Sequence, residues 1–237
     1  MRNIYMIGDS TMQYNNIFTY PQTGWGQVLH LFAKEDVRIY DHAKNGRSSK
    51  SFIDEGLFDN VYNQLQEGDY VICQFGHNDE KDDPLRHTNK DTSYLDNLEY
   101  FRTKCLEKGA NIIFATSITR RKFVDGVCLD THLGYPQAMK RYCLEKGYEC
   151  IDLNEITLGL YNVLGEEETK KFHMIFPKDT YANYPMGKED NSHLSYEGAI
   201  MVAQSFVVAL SQTKSPLNLF FHNLKMEFKV DQNMLKD

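Results

Sequence analysis

The chain has 237 residues, of which 41% are hydrophobic and 25% charged, as expected of a globular chain rather than a disordered one. Lys and Arg number 26 against 33 Asp and Glu, a formal charge of −7, which argues against a nucleic-acid partner and against a polybasic membrane contact. No apolar run approaches the roughly 20 residues that span a bilayer, and the length suits one domain over residues 1–237.

From the N-terminus, Met1-Arg2-Asn3 runs straight into the apolar Ile4-Tyr5-Met6-Ile7, without the roughly 7–15-residue apolar stretch of a signal peptide. The five cysteines, Cys73, Cys105, Cys128, Cys143 and Cys150, are odd in number and show no C-x-x-C spacing. They read as reduced thiols, and the expected compartment is the cytoplasm. Short apolar runs at Ile4 to Ile7, Val37 to Tyr40, Tyr70 to Phe75, Asn111 to Thr116 and Glu149 to Leu153 predict strands. Amphipathic stretches at Trp25 to Lys34, Leu57 to Gln66, Tyr94 to Lys108 and Tyr135 to Lys146 predict helices, with Gly109 and Gly147 as C-caps. Strands separated by helices imply right-handed crossovers. The expected fold is α/β, a three-layer αβα sandwich of flavodoxin-like type with about five parallel strands. Ligands of such sheets sit beyond the carboxyl ends of the strands.

The strand ends carry polar motifs. The first strand runs into Gly8-Asp9-Ser10-Thr11-Met12, which suits a nucleophilic serine on a tight turn, a helix N-cap, or a phosphate-binding loop. The second runs into Asn45-Gly46-Arg47-Ser48-Ser49, where Gly46 serves a turn at positive φ or presents its N–H to an oxyanion that a side chain would block. The third runs into Gln74-Phe75-Gly76-His77-Asn78-Asp79, where a carboxamide can point into the crevice. His77 reads as a buried structural histidine. Asp79, Asp82, Asp83 and His87 match no metal-site spacing and read as a solvated loop within Glu80 to Ser93, so no metal or cofactor is expected.

Leu164 to Asn191 predicts a long structured loop, and Ser195 to Ser211 a last helix. Between them Asp190-Asn191-Ser192-His193 sets a carboxylate three positions from an imidazole. On a helical turn this brings the two together, and a helix N-cap explains it equally. The tail from Pro216 to Asp237 is too apolar for a loose end. It is expected to pack on the domain or on a partner chain, which leaves a homodimer open.

Taken together, these four blocks resemble the SGNH hydrolase family, which presents Ser, Gly, Asn and His in this order. With Gly24-Trp25-Gly26-Gln27, Gly46-Arg47-Ser48-Ser49-Lys50-Ser51-Phe52 and Asn183-Tyr184-Pro185, they look like its rhamnogalacturonan acetylesterase branch, over residues 4 to about 210. The resemblance implies Ser10 as nucleophile, His193 as base and Asp190 as its orienting carboxylate. The oxyanion donors would be the Ser10 N–H, the Gly46 N–H and the Asn78 side chain. It implies an esterase acting on an acetylated carbohydrate, with Trp25, Arg47, Tyr181 and Tyr184 as candidate substrate contacts. The competing readings are a lysophospholipase or thioesterase of the same family, and a non-catalytic flavodoxin-like binding module.

Overall fold

The computed structural model describes residues 2–224. Five strands form one parallel sheet: β1 (Arg2–Gly8), β2 (Val37–Asp41), β3 (Tyr70–Gln74), β4 (Asn111–Ala115) and β7 (Cys150–Ile151), in the order β2-β1-β3-β4-β7. This is the expected doubly wound arrangement. Alternation along the strands decides which side chain goes to which face. Ile4 and Met6 of β1 enter one core with Ile72 of β3 and Ile113 of β4. Tyr5 and Ile7 enter the opposite core with Val71, Cys73 and Phe114.

The first core is closed by α1 (Trp25–Val28) and α7 (Tyr196–Ser211), through Trp25, Val202 and Phe206. The second is closed by α2 (Ser49–Asp54), α3 (Leu57–Tyr62), α4 (Ser93–Glu107) and α5 (Tyr135–Lys146), through Phe52, Phe58, Phe101 and Met139. Gly109 follows α4 and Gly147 caps α5, both at positive φ, as the sequence suggested.

Several elements differ from expectation. The helix expected to run to Lys34 stops at Val28 and continues as a 3-10 turn, Leu29–Phe32. A hairpin of β5 (Phe123–Val124) and β6 (Val127–Cys128) turns on Asp125-Gly126, both at positive φ. The segment expected to be a loop from Leu164 to Asn191 contains the end of α6 (Leu153–Thr169), then β8 (His173–Phe176) and the start of β9 (Lys188–Leu194). Gly165, at φ 81°, interrupts α6 and breaks its helical period, which hides the helix from a pattern search. The tail packs on its own domain as far as it is described: Leu217, Phe220 and Phe221 join the first core. Residues 225–237 lie outside the described residues. All five cysteines are unpaired.

Asp41, at the end of β2, is half-buried, but its Oδ2 is out of contact with solvent and has no hydrogen-bond partner. Burial pushes its carboxyl up to about 7, against a hydrogen bond from the Ala43 N–H. A raised acid holds its proton longer in the folded state, so stability falls as pH rises from the unfolded value of about 4 to the folded one. Asp41→Asn removes that loss. In urea unfolding, the variant should gain about 2 kcal/mol on wild type between pH 5.0 and 6.5, at about 1.4 kcal/mol per pH unit. A constant difference across this range would contradict the assignment.

Candidate active site

In the order β2-β1-β3, the chain reverses direction between β1 and β3, and a crevice opens at their carboxyl ends. Ser10 follows β1, and His77 and Asn78 follow β3. Asp190 and His193 come from β9, which pairs antiparallel with β8. Between Leu194, opposite His173, and Asp190, opposite Met174, β9 spends four steps where β8 spends one. Asn191, Ser192 and His193 therefore bulge out of the ladder. The pair sits on this bulge and not on a helical turn. Hydrogen bonds replace the helix: Asp190 Oδ1 accepts from the Ser192 N–H at 2.9 Å and the His193 N–H at 3.0 Å. Arg121 holds the outer end, donating from its N–H to the Asn191 carbonyl at 2.8 Å and from its guanidinium to Asn191 Oδ1 at 2.9 Å.

The bulge delivers a hydrogen-bonded chain. His193 Nδ1 lies 2.7 Å from Asp190 Oδ2, and Nε2 lies 3.0 Å from Ser10 Oγ. The carboxylate accepts from Nδ1–H, which fixes the tautomer and leaves the Nε2 lone pair facing the serine hydroxyl. Burial works against the charge on Asp190. The hydrogen bonds from the His193 ring and N–H and from Ser192 outweigh it and hold the carboxyl well below the usual range.

Under Ser10 runs a second chain. The Trp25 indole N–H donates to Gln74 Oε1 at 2.6 Å, and Gln74 Nε2 to Thr11 Oγ1 at 2.8 Å. The Thr11 hydroxyl and N–H both donate to Asp9 Oδ1 at 2.9 Å. All four side chains are buried, and together they lock the turn that carries Ser10.

The Ser10 and Gly46 N–H groups have no acceptor among the described residues. Asn78 donates one amide hydrogen to the Arg47 carbonyl at 3.0 Å, which orients the other. Gly46 has φ +74° and open space where a Cβ would stand, so backbone conformation, not close packing, requires glycine there. Asp79 is fully buried, which corrects its reading as part of a solvated loop. It accepts from the Ser49 N–H at 3.0 Å and so ties the β3 loop to the Gly46 loop. Burial pushes its carboxyl up to about 7, against the hydrogen bonds from Ser49 and Thr88.

Ser10, Thr11, His77, Asn78, Lys81, Arg120, Asp190, Ser192 and His193 line one cavity of about 310 Å³. None of the four expected substrate contacts does. Trp25 is fully buried in the chain just described. Arg47 turns to Glu55, at 2.8 Å. Tyr181 packs edge-on to Phe176 and Tyr20. Tyr184 donates to the Thr19 carbonyl at 3.1 Å. His77 is buried, as expected, yet faces the cavity as well. Lys81 and Arg120 were missed, although Arg120 follows β4 and the strand-end rule pointed there.

Trp25→Phe keeps an aromatic ring but leaves Gln74 Oε1 buried without a donor. It should destabilise the fold in urea by about 1–3 kcal/mol. Unchanged stability with a raised KM alone would return Trp25 to the substrate.

No protein-family model matches the chain. It is 37% identical over 215 residues to rhamnogalacturonan acetylesterase RhgT of Bacillus subtilis, covering 90% of this chain and 91% of that one. The solved structure of YxiM from Bacillus subtilis superposes with TM-score 0.75 at 25% identity, over 89% of this chain and 56% of that one. A lipolytic G-D-S-L family protein from Veillonella parvula superposes with TM-score 0.60 at 16% identity, over 90% and 100%, a likeness of fold. With RhgT matched along nearly its whole length and the Ser10, Gly46, Asn78 and Asp190–His193 blocks in place, the chain belongs to the rhamnogalacturonan acetylesterase branch of the SGNH hydrolases.

Proposed function

We propose that the chain removes acetyl groups from rhamnogalacturonan-derived oligosaccharides, with Ser10 as nucleophile. The observation that carries this is the chain from Asp190 through His193 to Ser10, at 2.7 and 3.0 Å, on the wall of an open polar cavity. The relative's acetylesterase name and a cavity that polar and charged side chains line support the sugar reading.

Ser10 Oγ attacks the ester carbonyl as its proton passes to His193 Nε2. Negative charge develops on the former carbonyl oxygen, toward the Ser10 N–H, the Gly46 N–H and the free Asn78 amide hydrogen. Each such donor contributes about 10²–10³ in rate in comparable sites. Asp190 stabilises the imidazolium. Collapse expels the sugar oxygen, which takes the proton from His193. Water, deprotonated by His193, then cleaves the acetyl-serine to acetate. A flavodoxin-like binding module would use the Ser10 hydroxyl to hold a phosphate, whereas here it points to an imidazole. The unpaired cysteines suit a reducing compartment, and titration of the denatured protein without reductant should find all five thiols.

Asp190→Asn preserves the shape but permits the wrong tautomer, and kcat should fall by about 10⁴. A loss under tenfold would mean that the pair is structural. Rates on nitrophenyl esters should fall by about tenfold or more from acetyl to octanoyl. A rise with chain length would move the function toward the lysophospholipase-like reading.

A further inference from the structure

The cavity at Ser10, about 310 Å³, holds about ten times a water's share of liquid volume, about 30 Å³. An acetyl group fills a small part of it, and the rest receives the alcohol half of the ester. Two cations, Lys81 and Arg120, line the same cavity. Arg120 is committed. It pairs with the buried carboxylate of Glu80 and donates to the His77 carbonyl and to Thr131 Oγ1, each at 3.2 Å. Lys81 is exposed, and among the described residues its ammonium has no carboxylate partner and no hydrogen bond.

The one carboxylate on the cavity wall, Asp190, is taken up by His193 and by two backbone N–H groups. Lys188 approaches it from outside the cavity wall, at 3.7 Å. Of the charged side chains on the wall, Arg120 is paired with Glu80 and Asp190 with His193, and the Lys81 ammonium alone has no partner among the described residues. His77, between these groups, adds no charge. Burial drives its pKa well down, and His132, Arg120, His193 and Lys81 press it further. A free ammonium beside a satisfied Arg–Glu pair matches one negative charge on the incoming sugar.

We propose that Lys81 is the side chain that binds the uronic-acid carboxylate next to the ester, and so a specificity-determining residue of this site. This rests on the carbohydrate acetylesterase reading and assigns its selectivity to a named side chain. Exposed on one side, Lys81 acts as a rim charge, with a gain sensitive to salt.

The test compares kcat/KM on an acetylated rhamnogalacturonan oligosaccharide with that on the same oligosaccharide methyl-esterified at its carboxyls. Wild type, Lys81→Met and Lys81→Arg are measured at low salt and at high salt. Wild type should favour the acidic form by about fivefold at low salt, through KM. The preference should shrink at high salt, vanish in Lys81→Met and return in Lys81→Arg. Equal losses on both forms in Lys81→Met, or no preference in wild type, would overturn the role of Lys81 and leave the esterase reading standing. Turnover of acetylated xylo-oligosaccharides with none of either rhamnogalacturonan form would overturn the substrate reading along with it.

Discussion

The site depends on how closely β1 and β3 run together. Gly8 lies opposite Gln74 in their ladder, and a Cβ on Gly8 would stand 2.7 Å from the Gln74 carbonyl oxygen. That contact sets the two strand ends side by side, and Ser10 and Asn78 emerge from them into one crevice. The same approach brings the Gln74 side chain under the turn, where it joins Trp25 to Thr11 and Asp9. Glycines extend this tight packing around the turn. A Cβ on Gly24 would lie 2.2 Å from the Gln13 carbonyl oxygen, and one on Gly26 2.7 Å from that of Met12. The serine is thus presented by a junction with no slack, which a group that must meet both an imidazole and a carbonyl carbon requires.

The imidazole arrives from a different kind of structure. The β8–β9 ladder is sound on both sides of the bulge, so the bulge itself carries the aim of His193. Asp190 serves twice, its Oδ1 folding the bulge and its Oδ2 orienting the ring. One carboxylate therefore couples backbone shape to catalytic tautomer. Behind it, His173 stays neutral, its pKa lowered to about 4 by burial, with Nε2 2.7 Å from the Tyr161 hydroxyl and Nδ1 3.3 Å from the His193 carbonyl. His193 thus rests on an uncharged support.

The sheet was legible in the sequence because its strands are short apolar runs, and burial on both faces demands such runs. Ser10, Asn78, Asp190 and His193, which share the cavity wall, were legible because each stands at a strand end or in a compact motif, whereas Gly46 lies off that wall. The local shape around Asp190 was not. A spacing of three suits a helical turn, and no single-residue pattern announces a bulge whose reason is the pairing with β8. The substrate contacts were misread for a related cause. Aromatic residues in loops look like sugar platforms, yet Trp25 and Tyr184 carry N–H and O–H groups that fixed partners inside the fold satisfy. Lys81 and Arg120 give no periodic signal, and only the folded cavity brings them beside Ser10.

In the proposed reaction Ser10 becomes acylated through His193. Mass spectrometry of the protein after reaction with a small phosphonate ester tests it most directly. One added phosphonyl group is expected on the peptide carrying Ser10, formed rapidly in wild type and abolished in His193→Ala. Modification at another residue, or equal labelling in wild type and His193→Ala, would contradict it.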